Sequence, residues 1–139
     1  MDLEKQLKIC NAAPSVFYRT PMGETTEIPF PFECGNGWAD LLYDAAVKLN
    51  AYLETMPKEV REDIVAMQVK EKYGTLRFYI SYYNDEIDAI IREAEKKSCT
   101  TCETCGKKGK TRGKFWLYTA CDEHTREEDL QDVSEEELP

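Results

Sequence analysis

Two ligand-bearing pairs near the C-terminal end constrain this chain more than any other feature. Cys102-x-x-Cys105, with Gly106 next, is separated by fifteen residues from Cys121-x-x-His124. This spacing predicts four donors converging on one tetrahedral site, in which zinc takes three thiolates and one imidazole. The glycine after Cys105 frees the backbone to turn, so that both thiols of the first pair face the same point. His124 is the single histidine of the sequence. Placed on zinc, it leaves no imidazole for general acid–base work or for activating a nucleophile. Four protein ligands also leave no open position for water, which a catalytic zinc needs. The expectation is a structural ion and no enzymatic activity.

The remaining cysteines raise two questions. Cys99-x-x-Cys102-x-x-Cys105 offers a second register, in which Cys99 competes as a ligand; the glycine after Cys105 favours the pair Cys102 and Cys105. Cys10 and Cys34 lack metal-like spacing and read as small buried apolar residues. The opening stretch MDLEKQLKIC is charged from Asp2 onward, without the basic and apolar blocks of a secretory leader. No run approaches membrane-spanning length. The expected compartment is the cytoplasm, where thiols stay reduced; a secreted disulfide scaffold is the competing reading.

Hydrophobic periodicity predicts an α+β fold. Leu3, Leu7 and Cys10 mark a short first helix over residues 2–12. Residues 14–37 hold Pro14, Pro21, Pro29 and Pro31, too many for a helix or a central strand. Their Val16, Phe17, Tyr18, Ile28, Phe30 and Phe32 predict an irregular segment lying on the core. The clearest helix carries Trp38, Leu41, Leu42, Ala45, Leu49, Tyr52 and Leu53 on one face, with Asn36 and Gly37 at its start and Pro57 beyond its end.

The period then falls to two. Val65, Met67 and Val69 predict one apolar strand face, and Leu76, Phe78 and Ile80 another, joined by Glu71–Thr75 into an antiparallel hairpin. A further helix follows, with Ile87, Ile90, Ile91 and Ala94 inward and Asn84 or Asp85 as cap.

The organisation expected is a body over residues 1–98, a zinc-binding lobe packed on it over 99–126, and an acidic tail over 127–139. Within the lobe, Lys107–Gly113 reads as a hairpin loop and Phe115–Tyr118 as the returning strand. Cys121–His124 reads as the first turn of a helix that runs on into the tail. Knuckle, hairpin and ligand-bearing helix make a treble-clef-like arrangement.

Charge narrows the choice of partner. The formal net charge is −9, a field that repels phosphate and anionic lipid. Against it stands one basic run: Lys107, Lys108, Lys110, Arg112 and Lys114, with Trp116 and Tyr118 close behind. Such a run can grip single-stranded nucleic acid, or it can offset the negative charge of a three-thiolate zinc site. Lys70 and Arg77 fall on the outer face of the first hairpin with Tyr79. A nuclease of treble-clef type needs histidines beyond the zinc ligands, and this chain has none.

Several stretches occur in a recognisable order: Phe32-Glu33-Cys34-Gly35-Asn36-Gly37-Trp38, then Gln68-Val69-Lys70-Glu71-Lys72-Tyr73-Gly74-Thr75-Leu76-Arg77-Phe78-Tyr79, then Ala94-Glu95 and Ser98, and finally the two ligand pairs. In that order, over roughly residues 30 to 125, the chain resembles small proteins encoded by bacteriophages and prophages. The resemblance implies a bacterial host cell as setting and an accessory role, such as binding and inhibiting or redirecting a host protein, a defence component included. Gly35, Gly37 and Gly74 read as backbone requirements. Lys70, Lys72 and Arg77 are hard to explain by packing and form the candidate partner-binding patch. The alternative is a nucleic-acid module using Lys107, Lys108, Lys110 and Arg112.

Overall fold

The computed structural model describes residues 1–130. Its helices are α1 (Leu3–Ala12), α2 (Pro14–Phe17), α3 (Ala39–Leu53), α4 (Lys58–Arg61) and α5 (Asp85–Ser98). Its strands are β1 (Phe32–Glu33), β2 (Ala66–Lys72), β3 (Thr75–Ile80), β4 (Lys110–Arg112) and β5 (Tyr118–Ala120). The architecture is α+β, as the periodicity predicts. No helix among the described residues is long and apolar enough to cross a membrane.

Helix α3 is buried along the expected stripe. Trp38, Leu42 and Leu49 are fully enclosed, and Leu41, Ala45 and Leu53 nearly so. Each aliphatic side chain of this size contributes roughly 1.5–3 kcal/mol by leaving water. Helix α5 lies against α3 and turns Ile87, Ile91 and Ala94 inward. Its cap is Asn84, whose side chain accepts from the Ile87 N–H at 2.9 Å. On the outside, Lys48 and Lys97 of the two helices each bridge Asp44 and Glu93 at 2.9–3.2 Å. In α1 the buried positions are Ile9 and Cys10, whereas Leu3 stays 59% exposed.

The proline-rich segment lies on the core, as its apolar content predicts. Phe17 meets Phe30, Phe32 and Phe78 with ring centroids 5.4–6.0 Å apart. It also does something the prolines hide. Phe32 and Glu33, just past Pro31, pair in parallel with Val69 and Lys70, giving a three-stranded sheet in the order β1-β2-β3. The hairpin therefore has a partner on its β2 side.

Strand β2 departs from simple alternation. A bulge between Ala66 and Gln68 inserts one extra residue against β3. The core face becomes Ala66 and Val69, opposite Ile80 and Phe78, and Met67 is expelled to 45% exposure. The expected face of Val65, Met67 and Val69 is corrected accordingly.

Strand β3 is a sheet edge whose outward N–H groups are all met from α5 or the loop before it. Ser98 Oγ accepts from Leu76 N–H at 2.9 Å, Glu95 from Phe78 N–H at 3.2 Å, and Tyr83 from Ile80 N–H at 3.2 Å. An edge satisfied this way offers no template for another strand.

The bulge generates a direct prediction. Val69→Ala is expected to cost about 2 kcal/mol of stability, and Met67→Ala less than about 0.5 kcal/mol. Urea unfolding midpoints of the two variants check it, and equal losses would place Met67 in the core.

Candidate metal centre

The four residues of the motif meet. Donor atoms of Cys102, Cys105, Cys121 and His124 all lie within 4.8 Å of one another. Cys105 Sγ is 3.6 Å from Cys121 Sγ, and His124 Nδ1 is 3.7 Å from Cys102 Sγ and 3.2 Å from Cys121 Sγ. A tetrahedron with Zn–S near 2.3 Å has S···S edges of about 3.8 Å and S···N edges of about 3.6 Å. The cluster can hold a metal ion, and its donor set suits zinc. With Nδ1 facing the sulfurs, the ring proton belongs on Nε2.

Local chemistry sets Cys102 apart from the buried cysteines outside the cluster. Burial pushes the Cys102 thiol up, but backbone N–H groups at Cys121, Cys105 and Thr104 outweigh it and bring the thiol down to about 6. The buried Cys34 goes the other way, pushed up to about 12 by burial and then by the nearby Glu103 carboxylate. Cys10 is likewise raised by burial. Cys99 stands apart from the cluster, with its Sγ 3.6 Å from the Glu95 carbonyl at the end of α5. Cys10 and Cys34 are buried, as small apolar residues are.

Two of the ligands, Cys105 and His124, are exposed, and two, Cys102 and Cys121, are buried. The second pair is carried by a single 3-10 turn, Asp122–His124, with Cys121 preceding it. Thr125 is extended, and helical geometry resumes only at 127–130. The continuous helix expected from Cys121 is thus replaced by a tight turn that ends directly after His124. The rest of the tail, 131–139, lies outside the described residues.

The hairpin between the pairs is shifted from its expected position. Lys110, Thr111 and Arg112 pair with Ala120, Thr119 and Tyr118, so most of the basic run is strand. The tip is 113–117. Gly113 opens it at φ 89°, and a Cβ there would lie 2.1 Å from the Trp116 carbonyl oxygen. Lys107 and Lys108 belong to the knuckle, where Lys108 bridges Thr101. Arg112 turns inward and is only 3% exposed. Its Nε donates to the Ala120 carbonyl at 3.2 Å and its Nη2 pairs with Asp122 at 2.8 Å. It ties β4 to the ligand turn, so it is not available as a surface contact for nucleic acid. Lys107, Lys108 and Lys110 remain exposed.

Of the other expected site residues, Lys72 is exposed, while Lys70 and Arg77 are half-buried and face each other across β2 and β3. Arg77 Nε is enclosed without a hydrogen-bond partner. Phe115 and Trp116 carry a signal that reading the tip as a strand obscures. They project from it, Phe115 fully exposed and Trp116 at 69%.

The lobe seats on the body through backbone. Gly37 N–H donates to the Glu103 carbonyl at 2.8 Å, and Gly35 N–H donates to the Glu103 carboxylate at 2.9 Å. Burial raises that carboxyl above its ordinary range. Trp38 Nε1 donates to the Thr101 carbonyl at 2.8 Å. A Cβ on Gly37 would stand 2.0 Å from the Cys102 carbonyl oxygen and 2.6 Å from the Gly106 nitrogen. At the other end, Thr119 Oγ1 donates to the Gly74 carbonyl at 2.5 Å.

Comparison with known proteins returns nothing: no protein-family model, curated protein or solved structure matches the chain. The seam supplies the prediction. Gly37→Ala is expected to cost about 3 kcal/mol, because both neighbours are backbone and cannot yield. Gly23→Ala, at φ 83° with nothing within 4 Å, is expected to cost only about 1–2 kcal/mol. Urea denaturation compares them, and equal losses would mean that the seam tolerates a side chain.

Proposed function

We propose that this chain is a non-enzymatic, zinc-braced interaction protein of phage origin. It acts in the cytoplasm of the bacterial host by binding a host protein and modulating or inhibiting it, a defence component being one such target. The observation that carries this reading is the convergence of the only histidine and three cysteines on one point. A closed set of four ligands braces a fold and leaves no water on the ion. The knuckle, the β4–β5 hairpin and the turn bearing Cys121 and His124 support a treble-clef-like lobe, with a 3-10 turn in the helix position. The outer face of the β2–β3 hairpin supports the partner role, since Lys72, Tyr73 and Tyr79 are exposed on it beside Lys70 and Arg77.

The exposed Phe115 and Trp116 give the second reading its specific support: rings at a hairpin tip can stack on bases, with Lys107, Lys108 and Lys110 of the same lobe meeting phosphates. The net charge of −9 weighs against it.

Elemental analysis of the purified chain is expected to find one zinc per molecule. Stripping the metal is expected to unfold residues 99–126 first, since structural zinc contributes roughly 10–16 kcal/mol in small finger peptides. A native chain without zinc would remove the reading. For the partner, affinity capture from an infected or lysogenic host is expected to yield one host protein in stoichiometric amount. Nuclease-sensitive capture of many proteins, lost with Lys107, Lys108 and Lys110 neutralised, would favour nucleic acid instead.

A further inference from the structure

Between the turn of the first hairpin and the tip of the second lies a crevice of about 380 Å³. Its lining is Lys70, Glu71, Lys72, Tyr73, Phe115, Trp116 and Leu117. We propose that this crevice binds an extended acidic segment of a partner protein, one that also inserts an aromatic or branched apolar side chain. The proposal rests on the protein-binding reading above and names its site and the chemistry it recognises.

The crevice is built from both hairpins, which are tied together at Gly74. Gly74 lies against β5, 3.1 Å from the Tyr118 nitrogen as measured from where its Cβ would be, and its carbonyl accepts from Thr119. Tyr73 and Gly74 have φ of 54° and 83°. Two-residue hairpin turns with both φ values positive favour Asn-Gly, Asp-Gly or Gly-Gly. A tyrosine at the first position costs of order 1–2 kcal/mol of backbone strain. What that position gains is an aromatic ring held outward, 67% exposed, facing Phe115 and Trp116. Large rings exposed together, tryptophan and tyrosine among them, are the residues that dominate binding energy at protein interfaces.

Charge sets the kind of occupant. Among the described residues, no carboxylate lies within 4.0 Å of Lys70 or Lys72. Glu71, between them, is engaged by the Gly74 N–H at 2.7 Å. Lys72 stands 5.6 Å from the Tyr73 ring centroid. The half-buried Lys70 and the exposed Lys72, with no described carboxylate on either, form a local exception on a molecule of net charge −9 that suits a short anionic ligand. They sit two residues apart on β2, about 7 Å along the strand, which is also the spacing of alternate carboxylates on an extended peptide. A nucleic acid carries charge on every nucleotide and is repelled by a molecule of net charge −9, whereas a short peptide needs only the two cations at the crevice, so these observations favour the peptide.

Selection from a ribosome-displayed library of random dodecapeptides against the full-length chain in zinc-containing buffer tests the proposal. Enriched peptides are expected to place two acidic residues beside an aromatic or branched apolar one. A synthetic selected peptide is expected to lose at least tenfold in affinity with Trp116→Ala, and at least tenfold with Lys70→Glu and Lys72→Glu together. Lys58→Glu, remote on α4, is expected to change nothing, and circular dichroism verifies that all variants fold. No enrichment, enrichment without acidic residues, or retention of affinity by the crevice variants would overturn it. So would binding of a fluorescent dT12 oligonucleotide with the same sensitivity to these substitutions, which would assign the crevice to nucleic acid. A host protein captured equally well by wild type and the crevice variants would remove the crevice and leave the protein-binding reading standing.

Discussion

Where the 3-10 turn Asn36–Trp38 meets the knuckle around Cys102–Gly106, two backbones touch with no side chain between them. The described part of the lobe is positioned by that seam, with the Thr119–Gly74 hydrogen bond at its other end. The seam's hydrogen bonds run from Gly35, Gly37 and the Trp38 indole to Thr101 and Glu103, and a Cβ at Gly37 would force the two backbones apart. Trp38 couples the seam to the core, since it is fully buried at the head of α3 while its one polar atom reaches the lobe. A tryptophan buried this way needs a partner for its N–H, and the carbonyl of Thr101 supplies it. Cys102, one of the four candidate ligands, is the next residue, so the cluster and the packing of the main core share one short stretch of chain.

The same economy appears at the sheet edge. Ser98 and Glu95 occupy the last turn of α5, directly before the lobe, and both satisfy N–H groups of β3. Ser98 also donates to the Glu95 carbonyl at 2.5 Å, so it is completely hydrogen-bonded at 0% exposure. A buried hydroxyl without partners would cost about 1–3 kcal/mol. Here it fixes the register of helix against strand, and through that the direction in which the chain leaves α5 for the metal.

How far residues alone reveal this fold depends on which force decides each part. Helices α3 and α5 are set by apolar stripes several turns long, and their periods are legible directly. The metal ligands are legible because coordination demands particular residue types at particular spacings. Gly37 and Gly74 are legible as requirements, although not what they accommodate, because the neighbours that exclude a side chain are 65 and more than 40 residues away: Cys102 and Tyr118. The bulge at Met67 was not legible, since alternation in β2 is intact in the sequence and only pairing with β3 breaks it. Strand β1 was hidden by two prolines and by its length of two residues. The position of the hairpin tip is not legible, because lysines read as loop, whereas pairing between Arg112 and Tyr118, with Arg112 buried on Asp122, decides where the strands end.

The second lobe has little besides its Cys3His cluster to hold it together. The buried apolar cluster there comprises only Cys102, Ala120 and Cys121, with Tyr118 packed at its margin, and two of these are themselves ligands. Apolar area of that size cannot offset the entropy of ordering some thirty residues, each of which costs roughly 1–2 kcal/mol in backbone freedom alone. Hydrogen bonds such as those of Tyr118 to Asp129 and Arg126 narrow the deficit without closing it, because each contributes only about 1 kcal/mol net. Three thiolates and one neutral imidazole around a divalent ion carry one negative charge in excess. The buried guanidinium of Arg112 is anchored on the Ala120 carbonyl and on Asp122, the residues on either side of Cys121. A cluster of four donors able to hold a metal ion, and one buried cation, stand where a larger lobe would have a hydrophobic core. In return it holds a hairpin rigid at the end of a small domain, with two aromatic rings facing water.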